Sequence, residues 1–334
     1  MNAKIALITG GFTGEAEVSL KSASFVAQKL DTKRFDVYKI ILAKDSWFYI
    51  DESGITHEID RKDFTLSLSG KIITFDLAFI MLHGSPGEDG KLQGYLDMVG
   101  LKYTSCDTLT SALTMNKAYT KILLQDVKDL HLAKSICLSD YNEAGQLAIS
   151  AQLKLPYFVK PNGGGSSIGM TKVNKKEELA AALERAFNTE NANKQVLIEE
   201  FVTGREFSIG VYRSSQGLEV LPATEVITSR EFFDFEAKYT PGLTKEITPA
   251  DLTEEEQERI KGIVKDVYIT LNCKGLVRID FFLEKDSNKF YFIEINTIPG
   301  QTEQSFIPQQ VRAAGMNETD FYSELIEQAL VDTV

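Results

Sequence analysis

Two short apolar runs, Leu276 to Leu283 and Phe290 to Ile295, flank the polar stretch Lys285-Asp286-Ser287-Asn288-Lys289. Runs of this length, rich in branched and aromatic residues and joined by turn composition, predict a β-hairpin. A turn centred on Ser287 sets Asp280 opposite Glu294 and Arg278 opposite Asn296. Side chains alternate along a strand, so these four polar groups share one face. Val277, Ile279, Phe281, Ile293 and Ile295 take the other face and are available for burial. Opposed Cβ atoms lie about 4.5–5.5 Å apart, where two carboxylates repel unless a cation sits between them. Aspartate, glutamate and an asparagine carbonyl are hard oxygen ligands, suited to Mg²⁺ rather than zinc, above all with phosphate oxygens in the shell. A solvated face with chance charges is the other reading of this hairpin.

The remainder of the chain bears on that choice. Its 334 residues are enough for two or three domains, and 43% hydrophobic content allows a substantial core. Asp+Glu at 48 against Lys+Arg at 36 gives a net charge of −12, which argues against nucleic acid or an anionic membrane surface as partner. A small anionic substrate needs only a local basic pocket. Cys106, Cys137 and Cys273 are too far apart for a zinc motif, and their odd number suits a reducing compartment. The chain enters a strand almost at once, without a signal-peptide pattern, and no apolar run reaches the ~18 residues of a membrane span. A cytoplasmic protein is the expectation.

Lys4 to Thr9 reads as a strand, followed by the glycine turn Gly10-Gly11-Phe12-Thr13-Gly14-Glu15 and a helical run from Glu17 to Leu30. Strand, glycine turn and helix open an α/β unit. Glu15 lies near a helix N-terminus, so it is either a favourable end charge or a substrate contact. A second strand spans Phe35 to Ala43, and Trp47 to Phe64 reads as short strands and turns without assigned chemistry. The apolar run Ile72 to Leu82 ends at His83-Gly84-Ser85-Pro86-Gly87-Glu88-Asp89-Gly90, and open α/β sheets bind ligands at such strand ends. The character changes around Tyr103 to Asp107, and Ser111 to Leu124 predicts one helix bearing Lys117 and Lys121.

Tyr157 to Pro161 is a strand ending in Lys160-Pro161, then comes Asn162-Gly163-Gly164-Gly165-Ser166-Ser167-Ile168-Gly169 and another strand from Met170. Successive glycines let backbone N–H groups close around phosphates; a plain flexible hairpin is the alternative. No Gly-Lys-Ser/Thr is present, so this is not a Walker loop. The strand Gln195 to Val202 runs into Glu199 and Glu200, where backbone and carboxylate groups can meet an adenine edge, and Glu206 on the next strand can take ribose hydroxyls. Ser229 to Pro249 is a long polar loop with Phe232, Phe233, Phe235, Lys238 and Tyr239, the composition of a lid that shields a reactive intermediate. Thr253 and Glu256 predict a capping box for the helix Thr253 to Leu271. After the hairpin come Thr302 to Ala314, with Ser305, and a last helix from Phe321 to Leu330.

Taken in order, these motifs resemble the D-alanine:D-alanine ligase family of the ATP-grasp superfamily over essentially the whole chain. The carriers are Gly10 to Ser19, Leu82 to Gly90, Met115-Asn116-Lys117, Lys160-Pro161 with Gly165 to Met170, Glu236 to Tyr239, Arg278-Ile279-Asp280, and Glu294 to Gly300. The resemblance implies an α/β, three-domain ATP-grasp architecture. An N-terminal substrate-binding domain with an open parallel, Rossmann-like sheet would span residues 1–105. A central subdomain with the glycine flap would span 106–203, and a subdomain with metal site and lid 204–334. It implies ATP between the second and third, with Lys117, Lys160, Gly165 and Ser167 at the phosphates and Glu199, Val202 and Glu206 at adenine and ribose. Asp280, Glu294 and Asn296 would hold two Mg²⁺ (or Mn²⁺) ions. Glu15, linked to Ser166 and Tyr239, would meet the ammonium of the first D-alanine, with His83 near the substrate. Arg278 and the Gly300 N–H would stabilise an oxyanion, and Lys238 and Ser305 would bind anionic groups. The implied partners are ATP, two D-alanines and a second copy of the chain.

The chain departs from the family's usual pattern at Gly163 or Gly164, where a charged residue is common, and at Glu200, where lysine is common. The implied reaction suits the residues. A carboxylate is a poor electrophile, so ATP first converts it to an acyl phosphate; an amine then attacks through an oxyanion and expels phosphate. The resembling depsipeptide-forming enzymes lack the lid tyrosine, so Tyr239 favours an amine over D-lactate as second substrate. A D-alanine:D-lactate or D-serine ligase, another carboxylate–amine ligase, and a non-catalytic ATP-binding module are the alternatives.

Overall fold

The computed structural model describes residues 2–140, 142–165, 168–189, 194–228 and 244–331. Three sheets organise them. In the first, Ala3–Gly10 lies parallel between Phe35–Leu42 and Leu77–Ile80. Ile5 to Ile8 and Leu77 to Ile80 are buried without alternation, as strands covered on both faces must be. Helix Ala16–Lys29 returns the chain between the first two strands. This is the parallel centre that the opening motif predicts.

The sheet is larger than that motif alone conveys. Strands Trp47–Ile50, Thr56–Asp60, Thr65–Leu68 and Lys71–Ile73 extend it as an antiparallel meander, giving seven strands of mixed direction. The expected excursion at 47–64 is therefore part of a regular sheet. Its strands are only three to five residues long, too short for clear alternation to mark them.

The second sheet is antiparallel, in the order Thr171–Val173, Tyr157–Pro161, Val196–Glu200, Ser135–Leu138. Helix Leu179–Phe187 covers it, and Val159, Ile198 and Leu183 form its own small core. The third sheet centres on Gly204–Ser214 and the hairpin, with helix Glu254–Thr270 packed on one face. That helix starts with the predicted capping box: the Thr253 hydroxyl accepts from Glu256 N, and the Glu256 carboxylate from Thr253 N. The short strand Leu130–His131 joins this third sheet.

Helices Phe306–Ala313 and Glu318–Val331 fold back onto the first sheet. Ile307, Val311, Phe321, Tyr322 and Ile326 share one core with Ile5 to Ile8 and Phe79. The first and third sheets are thereby held as one frame.

Two local expectations need correction. Ser111 to Leu124 is helical but not continuous: it holds the end of Thr108–Met115 and the whole of Lys117–Leu124. Asn116 breaks it: its backbone is extended and its side-chain oxygen caps the second helix at Tyr119 N. The hairpin pairs Arg278 with Asn296 and Asp280 with Glu294 as predicted, but a bulge follows and Phe281 faces Phe292. Ile293 is the extra residue: it is unpaired in the ladder and only half-buried, while Phe292 takes a place in the core.

Candidate active site

The three sheets enclose one cavity of about 1040 Å³. Fourteen of the residues expected at a site line it: Glu15, His83, Lys117, Lys160, Gly165, Glu199, Val202, Glu206, Arg278, Asp280, Glu294, Asn296, Gly300 and Ser305. Ser166, Ser167, Lys238 and Tyr239 lie outside the described residues. Glu200, one of the two departures, also lines the wall.

Glu15 stands at the N-cap of its helix, yet its side chain makes no capping bond. Its carboxylate instead lies against Gly84: a Cβ built there would come 2.7 Å from Glu15 Oε2 and 2.6 Å from Thr13 Oγ1. A Cβ at Gly165 would lie 3.7 Å from Glu15 Oε1, so the carboxylate also borders the glycine flap. Glu15 thus stands at a helix N-terminus, where its charge is favoured, and borders the cavity between Gly84 and the glycine flap.

His83 is buried and bonded through both ring nitrogens. Nδ1 lies 2.8 Å from the carbonyl of Ile298, and Nε2 3.0 Å from Ser22 Oγ. A carbonyl only accepts, so Nδ1 carries the proton and Nε2 accepts from the serine. Burial lowers its pKa to about 4, and the nearby Arg278 charge acts the same way, so the ring is neutral at pH 7. The Ser22 hydroxyl also accepts from Gln301 N, and Tyr322 OH donates to Gln301 Oε1. His83 thereby ties the first helix and its own loop to the loop bearing Gly300.

On the hairpin face Arg278 donates from Nε to Asp280 Oδ1 at 3.0 Å and from Nη2 to Oδ2 at 2.9 Å. Ser208 adds a third bond to Asp280 Oδ1 at 2.7 Å. Burial works against the Arg278 charge, but Asp280 and then Glu294 outweigh it and hold the guanidinium above its ordinary range. Asn296 Oδ1 accepts from Ile298 N. The donor set Asp280, Glu294 and Asn296 is all oxygen and faces the cavity, which fits a hard divalent cation that keeps water or phosphate oxygens in its shell. Among the described residues there is no cluster of three His, Cys, Asp or Glu side chains able to hold a metal by themselves.

At the far end Lys117 begins its helix and reaches Gly164 O at 2.6 Å. Asn162 anchors both elements: its carbonyl accepts from Lys117 N and its side chain from Ala118 N. Lys160 Nζ bonds Glu199 Oε2 at 2.6 Å, and Lys121 Nζ bonds Oε1 of the same carboxylate. Burial would raise the Glu199 pKa, but the two lysines hold it below the usual carboxylate range. Gly300 and Ser305 adjoin: a Cβ on Gly300 would lie 3.1 Å from Ser305 Oγ, which itself accepts from Thr302 N.

Several residues that shape this site were not singled out in the sequence. Glu88 is buried in the wall and accepts from Gly84 N at 2.6 Å. Burial and then the Glu15 charge push its pKa up to about 8. Its place in the loop after His83 was the available signal. Lys121 was named only as a second lysine on the Lys117 helix; it lies one turn after Lys117, hence near the same helix face. Ser22, Ser208 and Gln301 carry no local pattern, because each meets its partner from a distant segment.

Comparison with known proteins gives the family. The family models described as D-ala D-ala ligase N-terminus and D-ala D-ala ligase C-terminus match residues 4–106 and 130–327. A D-alanine--D-alanine ligase of Phocaeicola vulgatus is 41% identical over 327 residues, 98% of this chain and 99% of the relative. Among solved structures, VanG D-Ala:D-Ser ligase from Enterococcus faecalis has a TM-score of 0.87 at 34% identity, covering 98% of this chain and 100% of that one. D-alanyl-alanine synthetase A from Vibrio cholerae has a TM-score of 0.87 at 30% identity, covering 99% of each chain. The chain therefore belongs to the D-alanine–D-alanine ligase family, with an ATP-grasp fold.

Proposed function

We infer that the chain joins two molecules of D-alanine into D-alanyl-D-alanine through a D-alanyl phosphate, at the expense of ATP, for peptidoglycan synthesis. The observation that carries this is one cavity joining four kinds of group: the Glu15 carboxylate, the Arg278 guanidinium with the Gly300 loop, the oxygen face of the hairpin, and two lysines. No one of these alone distinguishes a ligase from a nucleotide-binding module. Together they provide for an ammonium, an oxyanion, a metal–phosphate group and a phosphate chain.

In this reading Glu15 pairs with the ammonium of the first D-alanine and turns its carboxylate toward the γ-phosphate. Lys117, Lys160, Gly165 and Ser167 hold the phosphates, while Glu206 and the backbone near Val202 and Glu199 hold ribose and adenine. Asp280, Glu294 and Asn296 would hold Mg²⁺ or Mn²⁺, which neutralises charge on the transferring phosphoryl group. The acyl phosphate is attacked by the second amine. Arg278, with two of its five N–H groups on Asp280, and the Gly300 N–H bind the oxyanion. Ser305 and Lys238 bind the second carboxylate and phosphate, and Ser166 and Tyr239 link to Glu15. His83, neutral and doubly bonded, orients the loop rather than moving a proton.

The functional division at residues 105 and 203, a homodimer and a cytoplasmic setting belong to the same proposal. Free Cys106, Cys137 and Cys273 are in keeping with that setting, and among the described residues no helix is long and apolar enough to cross a membrane. Hydroxylamine trapping tests the intermediate. ATP-dependent D-alanine hydroxamate is expected, and steady phosphate release without trapped hydroxamate contradicts the acyl phosphate. The likeness to VanG favours one second reading, D-serine as acceptor. A mixed D-alanyl-D-serine product in preference to the alanine dipeptide would establish it.

A further inference from the structure

Glu199 is engaged on both sides. Lys160 Nζ takes Oε2 at 2.6 Å and Lys121 Nζ takes Oε1, while Lys121 also donates to the carbonyl of Ala133 at 2.5 Å. Lys160 and Glu199 line the cavity; Lys121 stands behind them, its side chain 9% exposed. Two ammonium groups share one carboxylate, so the cluster carries a net charge of +1. Without Lys121 it would be a neutral Lys160–Glu199 pair. A lysine paired with an adjacent carboxylate offers a polyanion little net attraction.

We propose that Lys121 is a positioning residue for the nucleotide phosphates, compensating Glu199 from behind so that Lys160 meets the phosphate chain as part of a fixed, net-cationic cluster. The inference rests on the ATP-dependent reading of the cavity. It gives Glu199 a specific duty as the shared counter-charge, leaving strand backbone to meet the adenine edge. The third bond, to Ala133, fixes the direction of the Lys121 ammonium. Burial lowers the Lys121 pKa and the Glu199 charge opposes that shift, as a closed ion cluster requires.

The test is direct binding of ATP and of adenosine to the full chain by calorimetry, with folding checked by thermal unfolding. For Lys121→Met, ATP affinity is expected to fall roughly tenfold to hundredfold, the effect of one unit charge near a polyanion at intermediate dielectric. Adenosine, lacking phosphates, is expected to stay within about twofold. The double variant Lys121→Met/Glu199→Gln restores the net charge of +1, now on Lys160 alone with an amide oxygen as its acceptor, and is expected to recover most of the ATP affinity. Lys121→Arg keeps the charge and is expected to bind ATP within a few-fold of the unsubstituted chain. Parallel loss of ATP and adenosine, or no recovery in a folded double variant, means a merely structural role and overturns the proposal. Unchanged ATP binding by Lys121→Met overturns it alone, whereas failure of the unsubstituted chain to bind ATP overturns the ligase reading with it.

Discussion

Asp280 and Glu294 stand directly opposite one another across the hairpin, and Asp280 is clamped by both Nε and Nη2 of Arg278. Two carboxylates at that spacing are costly unless cations share them. Arg278 compensates one, and a divalent cation bound by Glu294, Asn296 and Asp280 would compensate the pair. Asp280→Asn is therefore expected to lower turnover by about a hundredfold or more and to raise the Mg²⁺ concentration needed for half-maximal rate. Rates across a Mg²⁺ titration check this. An unchanged Mg²⁺ dependence would remove Asp280 from the metal face.

Gly84 has φ +71°, and no Cβ fits there without pressing on Glu15 Oε2 and Thr13 Oγ1. Gly84→Ala strains the backbone and displaces the carboxylate together. The KM for the first D-alanine is expected to rise about tenfold or more, with the KM for ATP nearly constant. Initial-rate kinetics with both substrates varied decide it; a rise in both would point to general loss of structure.

Removing His83 should loosen the Gly300 loop. His83→Ala leaves the Ile298 carbonyl and the Ser22 hydroxyl without their imidazole partner. A loss of roughly 1–3 kcal/mol per orphaned buried group is expected, with about tenfold lower kcat. Thermal unfolding and steady-state rates measure the two effects. A large rate loss without destabilisation would instead make His83 a participant in the chemistry.

The hairpin is where the sequence was most informative, because alternation fixes faces and one turn fixes register. Even there the bulge at Ile293 escaped, since the turn assumed at Ser287 is compatible with the pairing at Asp280 but not at Phe281. The parallel centre of the first sheet was legible from strand, glycine turn and helix. Its meander was not, because strands of three to five residues carry too little periodicity. Nothing local indicates that Tyr322 reaches Gln301, or that Phe321 and Ile326 complete the core of the first strand. Residues of recognisable type in spaced motifs were readable, whereas those that act through distant contacts, such as Ser22 and Gln301, needed the fold.

Two buried groups set opposite limits on pH. His83 has a folded pKa of about 4 against an ordinary 6.5, so its contribution is present above pH 6.5 and is lost as pH falls through 4. Glu88 has a folded pKa of about 8 against 4.5, so its contribution is present below pH 4.5 and is lost as pH rises through 8. Glu88→Gln keeps the shape without the ionisation. It is expected to remove the alkaline decline, raising the melting temperature by a few degrees at pH 9 with little change at pH 5. Melting curves across that range check the sign; an equal shift at both values would mean that Glu88 is ionised throughout.

The most direct test of the account is incubation with ATP, Mg²⁺ and D-alanine, reading phosphate release and product mass together. The account predicts stoichiometric phosphate and a D-alanyl-D-alanine mass, with L-alanine inert. Phosphate release without dipeptide, or neither signal from a folded chain that binds ATP, would contradict it.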